Sequence, residues 1–266
     1  MLPMGVKLVA LDIDGTLIAP GEHSGAMPSR RVHAAISALR EQGVVVVLAT
    51  GRMFPGARAV ARHLGLDTPV ICQQGCSVHG RDGQMLHAFP IERAAAMHII
   101  GYAQSLGHAY EWFDPLRYVV SRRNPASVEY GTVSGITPEY RPDPENSGVV
   151  PTGVGIISSE REANGIHRAL VAYHGESLHI LDFPAVTVAV AQEANKGHAL
   201  SLICEDLGID RRETVAVGDS VNDAAMLAWA GRGFAMAHAD RYARDAADEV
   251  LDGDSAEPLA DLLETL

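Results

Sequence analysis

Val6 to Leu11 (VKLVAL) is a short apolar run that stops at an aspartate, the pattern of a strand buried on both faces of a parallel sheet. From Ser29 the periodicity changes. Val32, Ala35, Ile36 and Leu39 fall on one helical stripe, and Gly43 supplies a stop. Val44 to Ala49 (VVVVLA) predicts a second strand, Ala57 to Leu64 a helix closed by Gly65, and Val70 to Cys72 a third strand. This βαβαβ rhythm predicts a doubly wound parallel sheet.

Near residue 75 the rhythm breaks. SVHGRDGQMLH places half-apolar arms around Arg81-Asp82-Gly83 and predicts a β-hairpin. A helix over Ile91 to Leu106 follows, then strands in HAYEWF and RYVVS on either side of Asp114-Pro115. Residues 124–148, rich in Pro, Gly, Asn and Ser, predict loop. A strand at Val154 to Ser158, a helix reaching His174 and strands in SLHIL and AVTVAVA complete this block. After Lys196 the first rhythm returns. It gives helix His198–Leu207, strand Thr214–Val217, helix Asn222–Ala230, strand Gly233–Met236 and two final helical stretches. The predicted fold class is α/β: a doubly wound, Rossmann-like parallel-sheet core over 1–81 and 191–266, interrupted by an α+β insert over 82–190.

Charge narrows the partners. The 266 residues carry 33 Asp+Glu against 21 Lys+Arg, a net charge of −12, so nucleic acid and anionic membranes would repel the chain. Cys72, Cys76 and Cys204 form neither a disulfide framework nor a zinc pattern and read as small buried hydrophobes. The start MLPMGVKLVALDIDG lacks a signal-peptide arrangement, and no apolar run approaches the ~20 residues that span a bilayer. A cytoplasmic protein is expected. The twelve histidines show no H-E-x-x-H or clustered ligand spacing.

Three of the apolar strands run directly into polar residues: Asp12-Ile13-Asp14-Gly15-Thr16, Thr50-Gly51-Arg52, and Asp219 with Asn222-Asp223 behind it. In open parallel sheets ligands bind outside the carboxyl ends of the strands, so these clusters are expected to face one crevice. Asp12, Asp14, Asp219 and Asp223 crowded together stay ionised only if a cation neutralises them, and oxygen ligands favour Mg²⁺. Thr50, the Gly15 and Gly51 turns and Lys196 add phosphate-binding donors, while no P-loop exists. Together these residues predict phosphoryl transfer with a carboxylate as acceptor.

Asp12-Ile13-Asp14-Gly15-Thr16-Leu17, Thr50-Gly51-Arg52, Asn195-Lys196-Gly197 and Gly218-Asp219-Ser220-Val221-Asn222-Asp223 resemble the four motifs of the haloacid dehalogenase (HAD) superfamily. The insert resembles the C2B cap of its Cof-type phosphatase branch. One departure is Gln73-Gln74-Gly75-Cys76, where the branch usually carries an Asn-Gly-Ala run, which puts cap contacts in question.

That resemblance implies a Mg²⁺-dependent phosphatase acting on a small phosphorylated metabolite, such as a sugar phosphate. It implies Asp12 as nucleophile and Asp14 as the acid and base. Mg²⁺ would be held by the Asp12 carboxylate, the Asp14 backbone carbonyl and the Asp219 carboxylate. Thr50, Gly51, Lys196 and Asn222 would bind the phosphoryl group, and Asp223 would hold metal-bound water or Lys196. For Arg52, substrate contact and pairing with a core carboxylate stay open, as does helix capping by Asn222 and Asp223. The same motifs admit a phosphomutase or phosphotransferase. A non-catalytic phospho-acceptor module would also use an Asp cluster, Thr and Lys, but the cap and the Asp14 acid argue for turnover. In the insert, Glu111, Trp112, Arg117, Arg122 and Arg123 are candidates for a substrate pocket, against the reading of ordinary packing and a solvated basic face. The acidic residues Asp252, Asp254, Glu257, Asp261 and Glu264 predict a solvated helix face.

Overall fold

A computed structural model describes residues 5–23, 25–253 and 257–266. In chain order its elements are β1 (Leu8–Leu11), α1 (Arg30–Glu41), β2 (Val45–Ala49), α2 (Phe54–His63), β3 (Val70–Cys72), β4 (Ser77–His79) and β5 (Met85–Ala88). They continue through α3 (Arg93–Ser105), β6 (Ala109–Phe113), β7 (Tyr118–Val120), α4 (Pro125–Val133), β8 (Glu139–Tyr140), β9 (Gly153–Ile157), α5 (Glu160–His174), β10 (Leu178–Asp182) and β11 (Val186–Ala191). The last are α6 (Lys196–Leu207), β12 (Thr214–Gly218), α7 (Ala224–Trp229), β13 (Arg232–Ala235), α8 (Arg241–Ala246), β14 (Glu249–Val250) and α9 (Pro258–Leu263).

Two sheets result. The larger has eight strands in the order β14-β13-β12-β1-β2-β3-β4-β5, parallel up to β3 and antiparallel through the hairpin β4–β5. β1 lies at the centre without exposed surface, and its alternation supplies two cores. Val9 and Leu11 pack with residues of α1, α2 and α9, while Leu8 and Ala10 pack with α6 and α7. β2 lies on one side of β1 and β12 on the other, in register Leu11↔Leu48 and Leu11↔Val217. The chain therefore winds outward in both directions from β1, and the strand ends beside it open a crevice.

The smaller sheet has six strands, β10-β11-β9-β6-β7-β8, antiparallel except for β7 with β8. Tyr110 and Trp112 of β6 point to one face, into a core with Ile99, Ile100, Ile166 and Leu170 of α3 and α5. Ala109 and Phe113 belong to the other face, which packs with Met53 and Cys76 of the large-sheet half. The period of two along β6 thus decides which side chains look toward the crevice.

Residues 124–148 are not loop as the composition predicts. They contain α4, the short strand β8 and a single 3₁₀ turn at Pro144–Asn146. The Asn and Pro that suggest loop are the start of α4. Asn124 caps it by accepting from the Ser127 backbone N–H, and Pro125 sits in its first turn. The buried residues of α4 are Ser127 and Gly131, so no apolar stripe marks it. β14, only two residues long, is a further unpredicted element. At the C-terminus, Glu257, Asp261 and Glu264 do not form a merely solvated face. Glu257 accepts from the Ser29 hydroxyl, and Arg31 of α1 pairs with Asp261 at 2.6 Å and Glu264 at 2.7 Å. Asp254 lies outside the described residues. Among the described residues, no helix is long and apolar enough to cross a membrane.

Candidate active site

Asp12 follows β1 immediately and stays tied to the sheet, its backbone N–H donating to the Val217 carbonyl at 3.1 Å. β1 ends at Leu11, so Asp12 and Asp14 sit on the turn beyond it rather than on a straight strand. Gly15 makes this turn possible in two ways. Its φ is +94°, and a Cβ there would collide with the Asp219 carboxylate. Thr16 donates to Asp219 at 3.3 Å.

The centre of the site is an ion cluster. Lys196 is 0 % exposed at the start of α6, and its Nζ lies 2.7 Å from Asp12 Oδ1 and 2.6 Å from Asp223 Oδ1. The other Asp223 oxygen accepts from the backbone N–H groups of Asp219 and Ser220 at 2.9 and 3.0 Å. Asp223 therefore braces the loop after β12 and its carboxylate does not cap α7. Asn195 does cap its helix, accepting from the His198 N–H at 2.8 Å, which sets Lys196 in the first turn of α6.

Carboxylate oxygens of Asp12, Asp219 and Asp223 come within 4.8 Å of one another. Burial, then the neighbouring Asp223 charge, pushes the Asp12 carboxyl well above the ordinary carboxylate range, against the pull of Lys196. Burial and Asp223 likewise raise Asp219 to about 7. Burial alone would lower Lys196, but Asp12 and Asp223 hold its pKa above the ordinary value. Three carboxylates against one ammonium leave two negative charges uncompensated when all are ionised. An all-oxygen donor set with that charge fits a hard divalent cation such as Mg²⁺. Asp223 has both oxygens engaged, which leaves the carboxylates of Asp12 and Asp219 as the available ligands.

Asp14 is treated differently by its surroundings. Its side chain is 48 % exposed and is gripped by the buried Arg52, with Nε to Oδ2 at 2.7 Å and Nη2 to Oδ1 at 2.5 Å. In this structure Arg52 is thus the partner of a carboxylate in the crevice, a planar fork that fixes one rotamer. Thr50 is fully buried, and its hydroxyl accepts from the Arg52 N–H at 3.1 Å. At Gly51 a Cβ would press on the amide nitrogens of Gln74 and Asn222, so backbone and two amide donors converge there. Asn222 Oδ1 accepts from Ser220 at 2.8 Å, which leaves its amide N–H groups for a ligand.

Asp12, Asp14, Gly15, Gly51, Arg52, Gln74, Asp219 and Asn222 line one cavity of about 760 Å³, whereas the buried Thr50, Lys196 and Asp223 do not. The large-sheet half supplies the acidic end, and the smaller sheet with α4 supplies the opposite wall. Tyr130 of α4 donates to the Gly51 carbonyl at 3.2 Å, and Gln73 donates to the Asp114 carbonyl at 2.9 Å across the two halves. Gln73 and Gln74 both have positive φ, 51° and 60°, so the segment that departs from the usual motif is a strained turn bound to both halves.

Of the candidates in the insert, only Glu111 lines the cavity. Trp112 points the other way and donates to the Val149 carbonyl. Arg117 pairs with Glu139 at 2.7 Å, Arg122 donates to the Gly107 carbonyl at 2.6 Å, and Arg123 is exposed. His238 carries a contact that motif reasoning missed. Its Nε2–H donates to the Gly15 carbonyl at 2.8 Å and lies 4.0 Å from Asp219. Its position just after β13, at the same sheet edge as the motifs, was the available signal.

A doubly wound sheet with four acidic side chains, a buried lysine and amide donors at its carboxyl edge defines a phosphoryl-transfer class of hydrolase. Over residues 9–263 the chain matches the haloacid dehalogenase-like hydrolase family, and it belongs to that family. It is 26% identical to phosphatase YwpJ of Bacillus subtilis strain 168 over 92% of this chain and 94% of that one. It is also 26% identical to the HMP-PP phosphatase of Escherichia coli O6:H1 over 88% and 85% of the two chains. Among solved structures, a haloacid dehalogenase-like hydrolase from B. subtilis superposes with a TM-score of 0.82 at 24% identity, covering 98% of this chain and 100% of that one. A HAD subclass IIB sugar phosphatase also superposes at 0.82, with 20% identity and 98% of each chain covered.

Proposed function

We propose that this enzyme is a Mg²⁺-dependent phosphatase that hydrolyses a small phosphorylated metabolite through an aspartyl-phosphate on Asp12. The observation that carries this reading is the ion cluster: Asp12 buried beside Lys196, with Asp219 near enough to share a cation. The Asp12 and Asp219 carboxylates and the Asp14 backbone carbonyl would hold Mg²⁺, which when bound neutralises charge on the transferring phosphoryl group.

Asp12 Oδ1 is anchored by Lys196, while Oδ2 has no hydrogen-bond partner among the described residues. An oxygen of Asp12 attacks phosphorus, and the bond from phosphorus to the leaving oxygen breaks. Arg52 engages both Asp14 oxygens in this structure, so Asp14 acts once that fork opens and its carboxyl is protonated; it gives its proton to the leaving oxygen. It then takes a proton from the water that attacks the acyl-phosphate, so phosphate leaves and Asp12 is restored. Thr50, Gly51, Lys196 and Asn222 bind the phosphoryl oxygens. The wall facing Asp14 excludes bulk water from this exchange.

The E. coli relative is named for HMP-PP and one structural neighbour for sugar phosphates. Sugar phosphates and other small phosphomonoesters are accordingly the substrates to screen. We place the enzyme in the cytoplasm, where a reducing environment keeps its three buried free thiols unpaired. Hydrolysis of p-nitrophenyl phosphate, with Mg²⁺ and after chelation, tests the reading. Chelation is expected to abolish turnover, and Asp12→Asn to lower kcat by more than about a thousandfold. Robust turnover by purified Asp12→Asn would sink the assignment.

A further inference from the structure

Away from the acidic cluster, a recess of about 410 Å³ carries charge of the other sign. Arg58 and Arg62 of α2 and Arg81 of the turn between β4 and β5 line it, with Phe54, Asp67 and Thr68. Val70 opens β3 and pairs with His79 at the end of β4. The recess therefore lies at the amino end of β3, and none of its lining residues lines the cavity at the carboxyl edge. Its positive charge is unmet. Asp67 is its one carboxylate among the described residues, and it reaches only Arg81, at 3.9 Å with both side chains more than half exposed. Arg58 lies over the Phe54 ring at 5.7 Å, and neither it nor Arg62 has an ion pair among the described residues. The Thr68 hydroxyl is committed to the Val46 carbonyl at 2.5 Å. The last turn of α2 favours a cation at Arg62, but Arg58 sits one turn earlier on the same face, where a like-charge pair weakens a helix. Phe54 stacks on His79 at 4.6 Å, and a Cβ on Gly83 would come within 3.0 Å of its ring, so the hairpin carrying Arg81 is fixed against α2.

Three guanidinium groups against one carboxylate leave two positive charges, in a chain whose net charge is −12. A phosphoryl group with about two negative charges at neutral pH balances them. Guanidinium forks present paired N–H donors that match its oxygens. A recess of this size takes a small anion, while the acidic remainder of the chain repels a long polyanion such as nucleic acid. We infer that Arg58, Arg62 and Arg81 form an anion site for a phosphoryl dianion, separate from the catalytic crevice. Two sources share this chemistry: inorganic phosphate and the phosphate of a small ester.

Isothermal titration calorimetry of the full chain in EDTA tests this, with inorganic phosphate and glycerol phosphate as separate titrants. One saturable site per chain is expected. Arg58→Gln and Arg81→Gln should each weaken it by about tenfold to a hundredfold, the worth of a hydrogen bond between charged groups. Arg58→Lys, which keeps the charge and loses the fork, should fall between. Asp67→Asn should tighten binding by about twofold to fivefold, because it removes the competing partner of Arg81. Arg168→Gln makes the same charge change at an exposed position of α5 and should stay within about twofold. Equal binding of both titrants assigns the site to the phosphoryl group whatever carries it. Binding of phosphate alone assigns the free ion, and binding of the ester alone a phosphorylated metabolite. Circular dichroism checks folding, and Arg81→Gln, at a side chain 76 % exposed, decides the matter if an α2 variant does not fold. Absence of saturable binding, binding that survives both glutamine substitutions, or equal weakening by Arg168→Gln overturns the inference. No turnover is measured, so the phosphatase reading stands or falls separately.

Discussion

Lys196 stands between Asp12 and Asp223, its side chain fully buried. Removing one partner of such a group leaves the others uncompensated, and that is strongly destabilising. Lys196→Met is expected to lower unfolding free energy by about 3–5 kcal/mol in urea titrations without Mg²⁺. Added Mg²⁺ should recover part of the loss, because the cation replaces some of the missing charge. Glu111 makes the opposite kind of prediction. Burial raises its folded pKa to about 7, above the ordinary value of 4.5, so the folded state binds more protons than the unfolded chain between those values. Stability is therefore lost as pH rises through that window and levels off above about 7. The facing phenols of Tyr118 and Tyr130 are neutral throughout it, since burial raises both. Glu111→Gln should gain on the wild type from pH 5 to 8, by up to about 3 kcal/mol. A pH-independent difference in melting temperature would refute this.

At the scale of elements, the site depends on how α6 meets the strained turn after β3. Gly75 has a φ of +103°, and a Cβ there would overlap the backbone of Asn195 and Lys196. Gly75→Ala should shift the start of α6, costing at least about 3 kcal/mol from strain and overlap together. It should also lower kcat, which steady-state kinetics on p-nitrophenyl phosphate would show. Ser29 provides the contrast. Its hydroxyl caps α1 and reaches Glu257 beside α9, far from the crevice. Ser29→Ala should cost about 1–2 kcal/mol in thermal unfolding with kcat unchanged. The difference between these helices also explains what the sequence could disclose. α1 carries a regular apolar stripe and was legible, as was the hairpin around Asp82-Gly83. α4 buries Ser127 and Gly131 and owes its start to one capping box, so periodicity had nothing to detect.

Across the whole molecule, the crevice gathers groups from both ends of the chain. Thr16 bonds to Asp219 across 203 residues, and Lys196 reaches Asp12 across 184. A cation bound there by the folded state and not by the unfolded chain stabilises the entire fold. Mg²⁺ at a hundred times its Kd should raise stability by about 3 kcal/mol, or Tm by about 6–10 °C. Asp219→Asn should lose most of that rise in a thermal scan. The acidic balance of −12 is no obstacle to an anionic substrate, because this pocket sets its own local field.

The sequence by itself determined the doubly wound core and the family. Buried parallel strands must be continuous apolar runs, and the polar residues ending them must lie at one sheet edge. It also placed Asp12, Asp14, Thr50, Lys196 and Asp219 at that edge, since each sits at a strand or helix boundary that local patterning marks. Only the tertiary structure decided that Arg52 grips Asp14, that Asp223 braces the loop and Lys196, and that His238 reaches Gly15. It alone turned Glu111 toward the cavity and Arg117 away. Those outcomes depend on side chains distant in sequence meeting across two sheets. No spacing along the chain records that meeting.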